Sequence, residues 1–151
     1  MNIGALPDRI LIKGDTFKQA LTFTKLVDDV TEPIDLSVYT DIRMDVRDAP
    51  SQSATKFITV SLGNGITISG DDNNILLIEI PSTETEKLIT TFNQFDVNSV
   101  NRSSATLQNS RKLQEYSYYY RDIRFIIGSD ISTKLNGKLL VLNNITEIPD
   151  E

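Results

Sequence analysis

The 151-residue sequence contains no cysteine and no histidine. Without cysteine, disulfides and thiolate metal sites are excluded. Without histidine, a Ser-His-Asp triad is excluded, and the side chain that most often acts as a general base near neutral pH or binds zinc is missing. Any catalysis would rest on carboxylates, lysine or tyrosine. No Gly-Lys-Ser or Gly-Lys-Thr occurs, so there is no Walker-type phosphate loop. No apolar run reaches membrane length, and the opening residues 1–8 lack a basic segment followed by a long apolar one. A soluble chain without an export signal, and with no membrane partner, is therefore expected. Positive charge is scarce too: 15 Lys and Arg stand against 21 Asp and Glu, for a formal charge of -6. Phosphate binding needs clustered cations, so nucleic acid is not expected as a partner.

What is present is a repeated two-residue alternation with turn residues between the runs. In Phe17 to Phe23, the apolar Phe17, Leu21 and Phe23 share one face, with Lys18, Thr22 and Thr24 opposite. From Asp41 to Arg47, Ile42, Met44 and Val46 face one way and Asp41, Arg43, Asp45 and Arg47 the other. This pattern predicts a strand with one wet face, whose alternating charges oppose edge-to-edge pairing with another strand. Phe57 to Leu62, Ile66 to Ile68 and Ile75 to Ile80, separated by Gly- and Asn-rich turns, predict a three-stranded meander.

After Pro81, the Thr83-x-x-Glu86 spacing of a capping box and the stripe Leu88, Ile89, Phe92 and Phe95 predict one helix of about three turns. Tyr116 to Ile127 predicts a strand with Tyr119, Ile123, Phe125 and Ile127 on one face. Asn136-Gly137 then predicts a hairpin turn into Lys138 to Leu142, a run apolar on both faces and so central or covered. One domain is expected over 1–151, with terminal extensions at 1–8 and 143–151 and an inserted polar loop at 96–114, rich in Asn, Ser, Arg and Gln and without a steady period.

The candidates for chemistry have structural readings. Asp71-Asp72-Asn73-Asn74 lacks the alternating ligands and downstream glutamate of a calcium loop and reads as a turn. Glu84 and Glu86 suit the start of a helix, where negative charge meets the positive end of the dipole. Asp15 after Gly14 is expected to bond backbone amides in a turn, and no second acid accompanies it as a catalytic pair. Pro33 fixes φ and Asp35 can bond amides beyond it, so this link is expected to be a stiff corner. No catalytic residue, metal ligand or cofactor site emerges. The run Tyr116 to Tyr120 suits sheet packing, a protein interface or stacking on a sugar. Partner contact is assigned to Tyr118, Tyr120, Asn101, Arg102 and Arg111.

Taken in order, Ile10-Leu11-Ile12-Lys13-Gly14-Asp15-Thr16-Phe17, Pro33-Ile34-Asp35-Leu36-Ser37, Ile42 to Arg47, Thr85-Glu86-Lys87-Leu88, Tyr120-Arg121-Asp122-Ile123 and Asn136-Gly137-Lys138-Leu139-Leu140-Val141 form one layout. It resembles the immunoglobulin-like N-terminal module of phage baseplate upper proteins and related small tailed-phage virion proteins, over nearly the whole chain. The chain departs from that pattern at Arg121, where an aromatic is usual, and at 96–114, where a brief turn is usual. The resemblance implies an all-β immunoglobulin-like sandwich of seven or eight strands with one short helix and a long polar loop. It further implies a structural, non-enzymatic subunit of the tail, neck or baseplate, assembled in the host cytoplasm into the virion. Its partners would be other virion proteins and copies of itself in a symmetric ring or multimer. A carbohydrate-binding sandwich using Tyr118, Tyr120 and nearby acids for host-surface recognition is the alternative.

Overall fold

A computed structural model describes residues 2–92 and 115–143. The chain runs through β1 (Asn2–Ala5), β2 (Arg9–Ile12), β3 (Phe17–Thr22), β4 (Thr24–Val27), β5 (Val30–Pro33), a 3-10 turn at Leu36–Val38 and β6 (Asp41–Arg47). It continues through β7 (Lys56–Leu62), β8 (Gly65–Ser69), β9 (Ile75–Ile80), a single helical turn α1 (Ser82–Thr85), β10 (Thr91–Phe92), β11 (Glu115–Ile127) and β12 (Asp130–Leu142).

Ten of these strands form one sheet in the order β1-β12-β11-β6-β7-β8-β9-β3, with β2 also on β12 and β10 on β11. The sheet folds over at the step from β7 to β8, where only Ser61↔Gly65 and Leu62↔Ile66 pair, in parallel. β8-β9-β3 thereby becomes one layer and β2-β12-β11-β6-β7 the other. The closure is visible where Phe23, just past β3, sets its ring edge-on to Phe125 of β11 at 5.6 Å. In immunoglobulin lettering the layers are D-E-B and, beside the N-terminal strand, G-F-C-C′. The chain is an all-β, immunoglobulin-like sandwich.

The alternation explains the core. Phe17 of β3, Ile42, Met44 and Val46 of β6, Ile58 and Val60 of β7, Ile66 of β8, Leu76, Ile78 and Ile80 of β9, Ile123 and Phe125 of β11, and Leu139 and Val141 of β12 are all buried in one cluster. Each such side chain contributes about 1.5–3 kcal/mol on leaving water.

Several expectations differ from the structure. The helix is one turn, not about three. Pro81 is its N-cap without a side-chain cap bond, and the Thr83-x-x-Glu86 box does not cap it. The chain leaves the helix because Leu88 turns into the core while Ile89 stays exposed, and Thr91 and Phe92 pair with Tyr116 and Glu115 as strand. Phe95 lies outside the described residues. The three-stranded meander is a corner, β7 to β8, followed by an antiparallel hairpin, β8 to β9. Asn136-Gly137 is not a turn: both lie inside β12, opposite Asp122 and Arg121. The turn falls at Gly128, with φ +65°, between β11 and β12. Gly137 is needed because a Cβ there would meet the Leu6 side chain at 2.7 Å, where the incoming chain crosses β12 and Leu6 donates its amide to the Asn136 carbonyl.

Strand count exceeds seven or eight because short pieces are added at the edges. Among them β4 and β5 form a separate hairpin turned by Asp28 and Asp29, both with positive φ.

Gly65 stands at the corner where β7 passes into β8. Gly65 has φ +100°, and a Cβ there would sit 2.7 Å from Val60 Cγ1 and 2.9 Å from the Glu79 carbonyl oxygen. Gly63, at φ +82°, faces open space. Gly63→Ala is expected to cost about 1–2 kcal/mol for its backbone alone. Gly65→Ala should cost about 1–3 kcal/mol more from overpacking. Urea midpoints for the two variants check this, and equal losses would contradict it.

Candidate functional site

The strand β11 divides its side chains by parity. Tyr119, Arg121, Ile123 and Phe125 are buried inward, whereas Tyr118, Tyr120, Asp122 and Arg124 lie on the opposite, outer face of the larger layer. Two inward polar groups hold this register. The Tyr119 hydroxyl donates to the Ile89 carbonyl at 2.8 Å and accepts from the Ile89 amide at 2.7 Å. Burial holds the Tyr119 phenol above its ordinary pKa, with the Ile89 amide opposing. Arg121, 2% exposed, donates to Gln19 Oε1 of β3 at 2.5 Å and to the Pro7 carbonyl at 2.9 Å. Burial, aided by Arg9 and opposed by Asp8, lowers the Arg121 pKa to about 10.

On the outer face the strand registers place side chains in rows. Ile10 of β2 pairs with Leu140 of β12, which pairs with Tyr118 of β11. The next row is Ile12, Leu142 and Tyr116. Ile10 is 60% and Tyr118 55% exposed, so an apolar and aromatic patch crosses three strands. Beside it, the Lys138 ammonium lies 5.8 Å from the Tyr118 ring centre and 6.0 Å from that of Tyr120. The Tyr116 and Tyr118 rings meet at 85°. A smaller apolar group is exposed on the β4–β5 hairpin, at Leu26 and Val30.

Farther along the same face, the second half of the expected wet row of β6 is buried, while Asp41 and Arg43 keep contact with solvent. Asp45 is 0% and Arg47 6% exposed, because Asp122 and Arg124 of β11 and Lys134 of β12 pack around them. Arg47 Nη2 lies 3.2 Å from Asp45 Oδ2, and its Nη1 is 3.2 Å from Asp122 Oδ1. Arg124 also pairs with Asp45 Oδ2, and Thr59 donates to Asp45 Oδ1 at 2.7 Å. Lys134 Nζ and Arg124 Nε each lie 3.7 Å from Asp122 Oδ2. Burial, then the neighbouring Arg43, lowers the Arg124 pKa. Arg43 itself pairs with Asp41 at 3.4 Å in solvent. A cleft of about 270 Å³ adjoins the cluster, bordered by Arg47, Tyr120, Asp122, Lys134 and the loop residues Ser51 and Gln52.

The turn residues stand away from this face. Gly14, with φ +89°, donates its amide to Thr85 Oγ1 at 3.0 Å, and the Thr85 hydroxyl donates to the Asp15 carbonyl at 2.8 Å. The turn is thus tied to α1 through the main chain of Asp15. Pro33 ends β5 opposite Thr24, and Asp35 accepts from the Ser37 amide at 2.9 Å and hydroxyl at 2.6 Å. These bonds lower the Asp35 pKa. Their stabilisation is therefore present above the ordinary carboxylate range and lost as pH falls through the lowered folded value. Asn101, Arg102 and Arg111 lie outside the described residues. Among those described, no three Asp or Glu side chains gather to hold a metal ion, and Asp71 and Asp72 are exposed in a turn.

The parity of β11 in the sequence signals Arg121, a charge at i+2 from Tyr119 and i-2 from Ile123, as an inward polar group. The buried cluster has a signal as well: Asp45 and Arg47 on one strand match Asp122 and Arg124 on another. Pairing them required the strand order.

The buried cluster separates two kinds of ion pair. Asp45→Asn leaves Arg47 and Arg124 without their shared counter-charge, and a loss of about 3–5 kcal/mol is expected. Asp41→Asn, which breaks an exposed pair, should cost about 0–1 kcal/mol. Chemical denaturation of both variants checks the contrast, and a mild Asp45→Asn would contradict the buried network.

No family model and no curated protein matches the chain. Among solved structures, it is similar at 12% identity to the extracellular domains of the voltage-gated sodium channel β4 subunit, described as parallel homodimers that explain a role in cell-cell adhesion. That match covers 92% of each chain with a TM-score of 0.33. It is also similar at 12% identity to the NK cell receptor NKp44, described as a triggering partner in natural cytotoxicity, over 90% of this chain and 99% of that one, with a TM-score of 0.36.

Proposed function

We propose that this chain is a non-enzymatic structural subunit of a tailed-phage virion, in the tail, neck or baseplate, and that it grips other virion proteins and copies of itself through the outer face of β2, β12 and β11. The observation that carries the reading is the patch formed by Ile10, Leu140 and Tyr118 beside Ile12, Leu142 and Tyr116. A sheet face meant only for water would alternate to polar residues at these positions. An exposed apolar patch that carries aromatic side chains has the composition of an interface core. The ordered motifs from Ile10 to Val141 supply the virion assignment, and the rigid corners at Gly14 and Asp35 suit a part that holds its shape under load.

The carbohydrate alternative finds less support. Sugars stack on flat aromatic faces, and here Tyr116 and Tyr118 stand nearly perpendicular while Lys138 lies near the rings of Tyr118 and Tyr120.

Two measurements test the proposal. Quantitative mass spectrometry of purified particles should find this polypeptide in multiple copies per particle, and its absence would sink the virion reading. In particles complemented with Ile10→Ser/Tyr118→Ser, incorporation should fall by about tenfold or more, as for loss of an interface hot spot. Both side chains are exposed, so the melting temperature of the isolated variant should stay near that of the parent. Undiminished incorporation would remove the face from the interface.

A further inference from the structure

The charged cluster on the outer face is unbalanced in its hydrogen bonding as well as in its charge. Three cations, Arg47, Arg124 and Lys134, surround two carboxylates, Asp45 and Asp122. All four oxygens of those carboxylates already face donors: Asp45 Oδ1 takes Thr59, Asp45 Oδ2 takes Arg47 and Arg124, Asp122 Oδ1 takes Arg47, and Asp122 Oδ2 faces Arg124 and Lys134. The donors are not exhausted in the same way. Arg47 Nε and Arg124 Nε are buried without a hydrogen-bond acceptor among the described residues. Lys134 reaches its one carboxylate only at 3.7 Å, beyond a good hydrogen bond.

Such buried donors are costly to leave without an acceptor, the more so when they belong to charged groups. The same surroundings contain a cleft of about 270 Å³ bordered by Arg47, Lys134, Asp122 and Tyr120. The loop residues Ser51 and Gln52 close its other side with uncharged polar groups. Of the three cations, Arg47 and Lys134 border the cleft and Arg124 does not, so these two stand one acceptor group short beside a space that could admit one.

We infer that this cleft is the seat of a carboxylate side chain, Asp or Glu, presented by a protein partner at the face proposed above as the interface. A carboxylate offers two coplanar oxygens, which suit a guanidinium edge and an ammonium together. The partner's acid would accept from Arg47 and Lys134 and bring the network to three carboxylates against three cations. Tyr120, between this cleft and the apolar patch, joins the two into one surface: anchor residues at Ile10 and Tyr118, and a charge-specific socket beside them. The socket rests on the interface reading for its partner but not for its chemistry, since the unpaired donors and the cleft exist in the isolated chain.

The test uses the isolated chain and short peptides. Arginine Nε–H and backbone amide resonances are followed by NMR while acetyl-Gly-Glu-Gly-amide is added to millimolar concentration. Its glutamine counterpart and inorganic phosphate are added in parallel. The glutamate peptide should shift the Arg47 Nε–H signal and the amides of Tyr120 and Lys134, with no matching response to the glutamine peptide. Phosphate acting alone would overturn the carboxylate assignment, and no shift at Arg47 with any probe would overturn the socket. Lys134→Ala should weaken the glutamate response several-fold.

Gln52→Glu, on an exposed loop position, supplies the acid within the chain. It should raise the melting temperature and abolish the peptide response, and a lower melting temperature with the response intact would count against the socket. Because these readouts do not involve particles, they can fail while the virion assignment stands, and the particle measurements can fail while these succeed.

Discussion

The register of β11 decides which side chains fill the core and which form the outer face of the larger layer. Its period of two sends Tyr119, Arg121, Ile123 and Phe125 inward and Tyr118, Tyr120, Asp122 and Arg124 outward. A slip of one residue would exchange the two sets, burying the tyrosines of the outer patch and unpairing the charged cluster. Apolar burial alone tolerates such slips poorly, but the inward polar groups add direction. Arg121 reaches across the interior to Gln19 and to the Pro7 carbonyl, while Tyr119 is fastened at both ends of its hydroxyl dipole to Ile89.

These two residues occupy telling positions. In immunoglobulin domains, strands B and F are joined by a disulfide, and a tyrosine stands two residues before the second cysteine with its hydroxyl bonded to upstream backbone. Here Tyr119 precedes Arg121 by that interval, and Arg121 meets Gln19 of the B-equivalent strand β3. A cysteine-free chain thus links its layers at that place by a hydrogen bond from a buried cation to neutral oxygens. The arrangement has a cost, visible in the lowered Arg121 pKa, because burial desolvates the charge and, among the described residues, neutral oxygens rather than a carboxylate accept its hydrogen bonds. The tie gives direction and fixed geometry rather than a large net gain. On the outer face of the sheet the same residue type is used differently: Arg47 and Arg124 are held by carboxylates, and Arg47 borders a cleft.

The sheet was legible in the sequence wherever alternation was unambiguous. Ile42, Met44 and Val46, or Ile123 and Phe125, declare a buried face through spacing alone. Where the sequence misled, a long-range contact overrode a local signal. Asn136-Gly137 has the local chemistry of a hairpin turn, yet Gly137 is small because Leu6 passes over it. Leu88, Ile89, Phe92 and Phe95 have a helical spacing, yet Leu88 enters the core and Phe92 joins β11. Asp45 and Arg47 alternate like solvent-facing residues, and only the adjacency of β6 and β11 reveals that their charges meet Asp122 and Arg124. Of the candidate contact residues, Tyr118 and Tyr120 share the outer face, while the apolar partners Ile10 and Leu140 were not distinguishable from core residues before the register was known.

The Arg121–Gln19 bond couples the two layers and thereby fixes which face of β11 is presented outward. A double-mutant cycle with Arg121→Met and Gln19→Leu, measured by chemical denaturation, tests it most directly. Each single change leaves one buried polar partner unsatisfied, whereas the double change removes both, so the account predicts a coupling of about 1–3 kcal/mol, with the double variant less destabilised than the sum of the singles. Additive losses within a few tenths of a kcal/mol would contradict it.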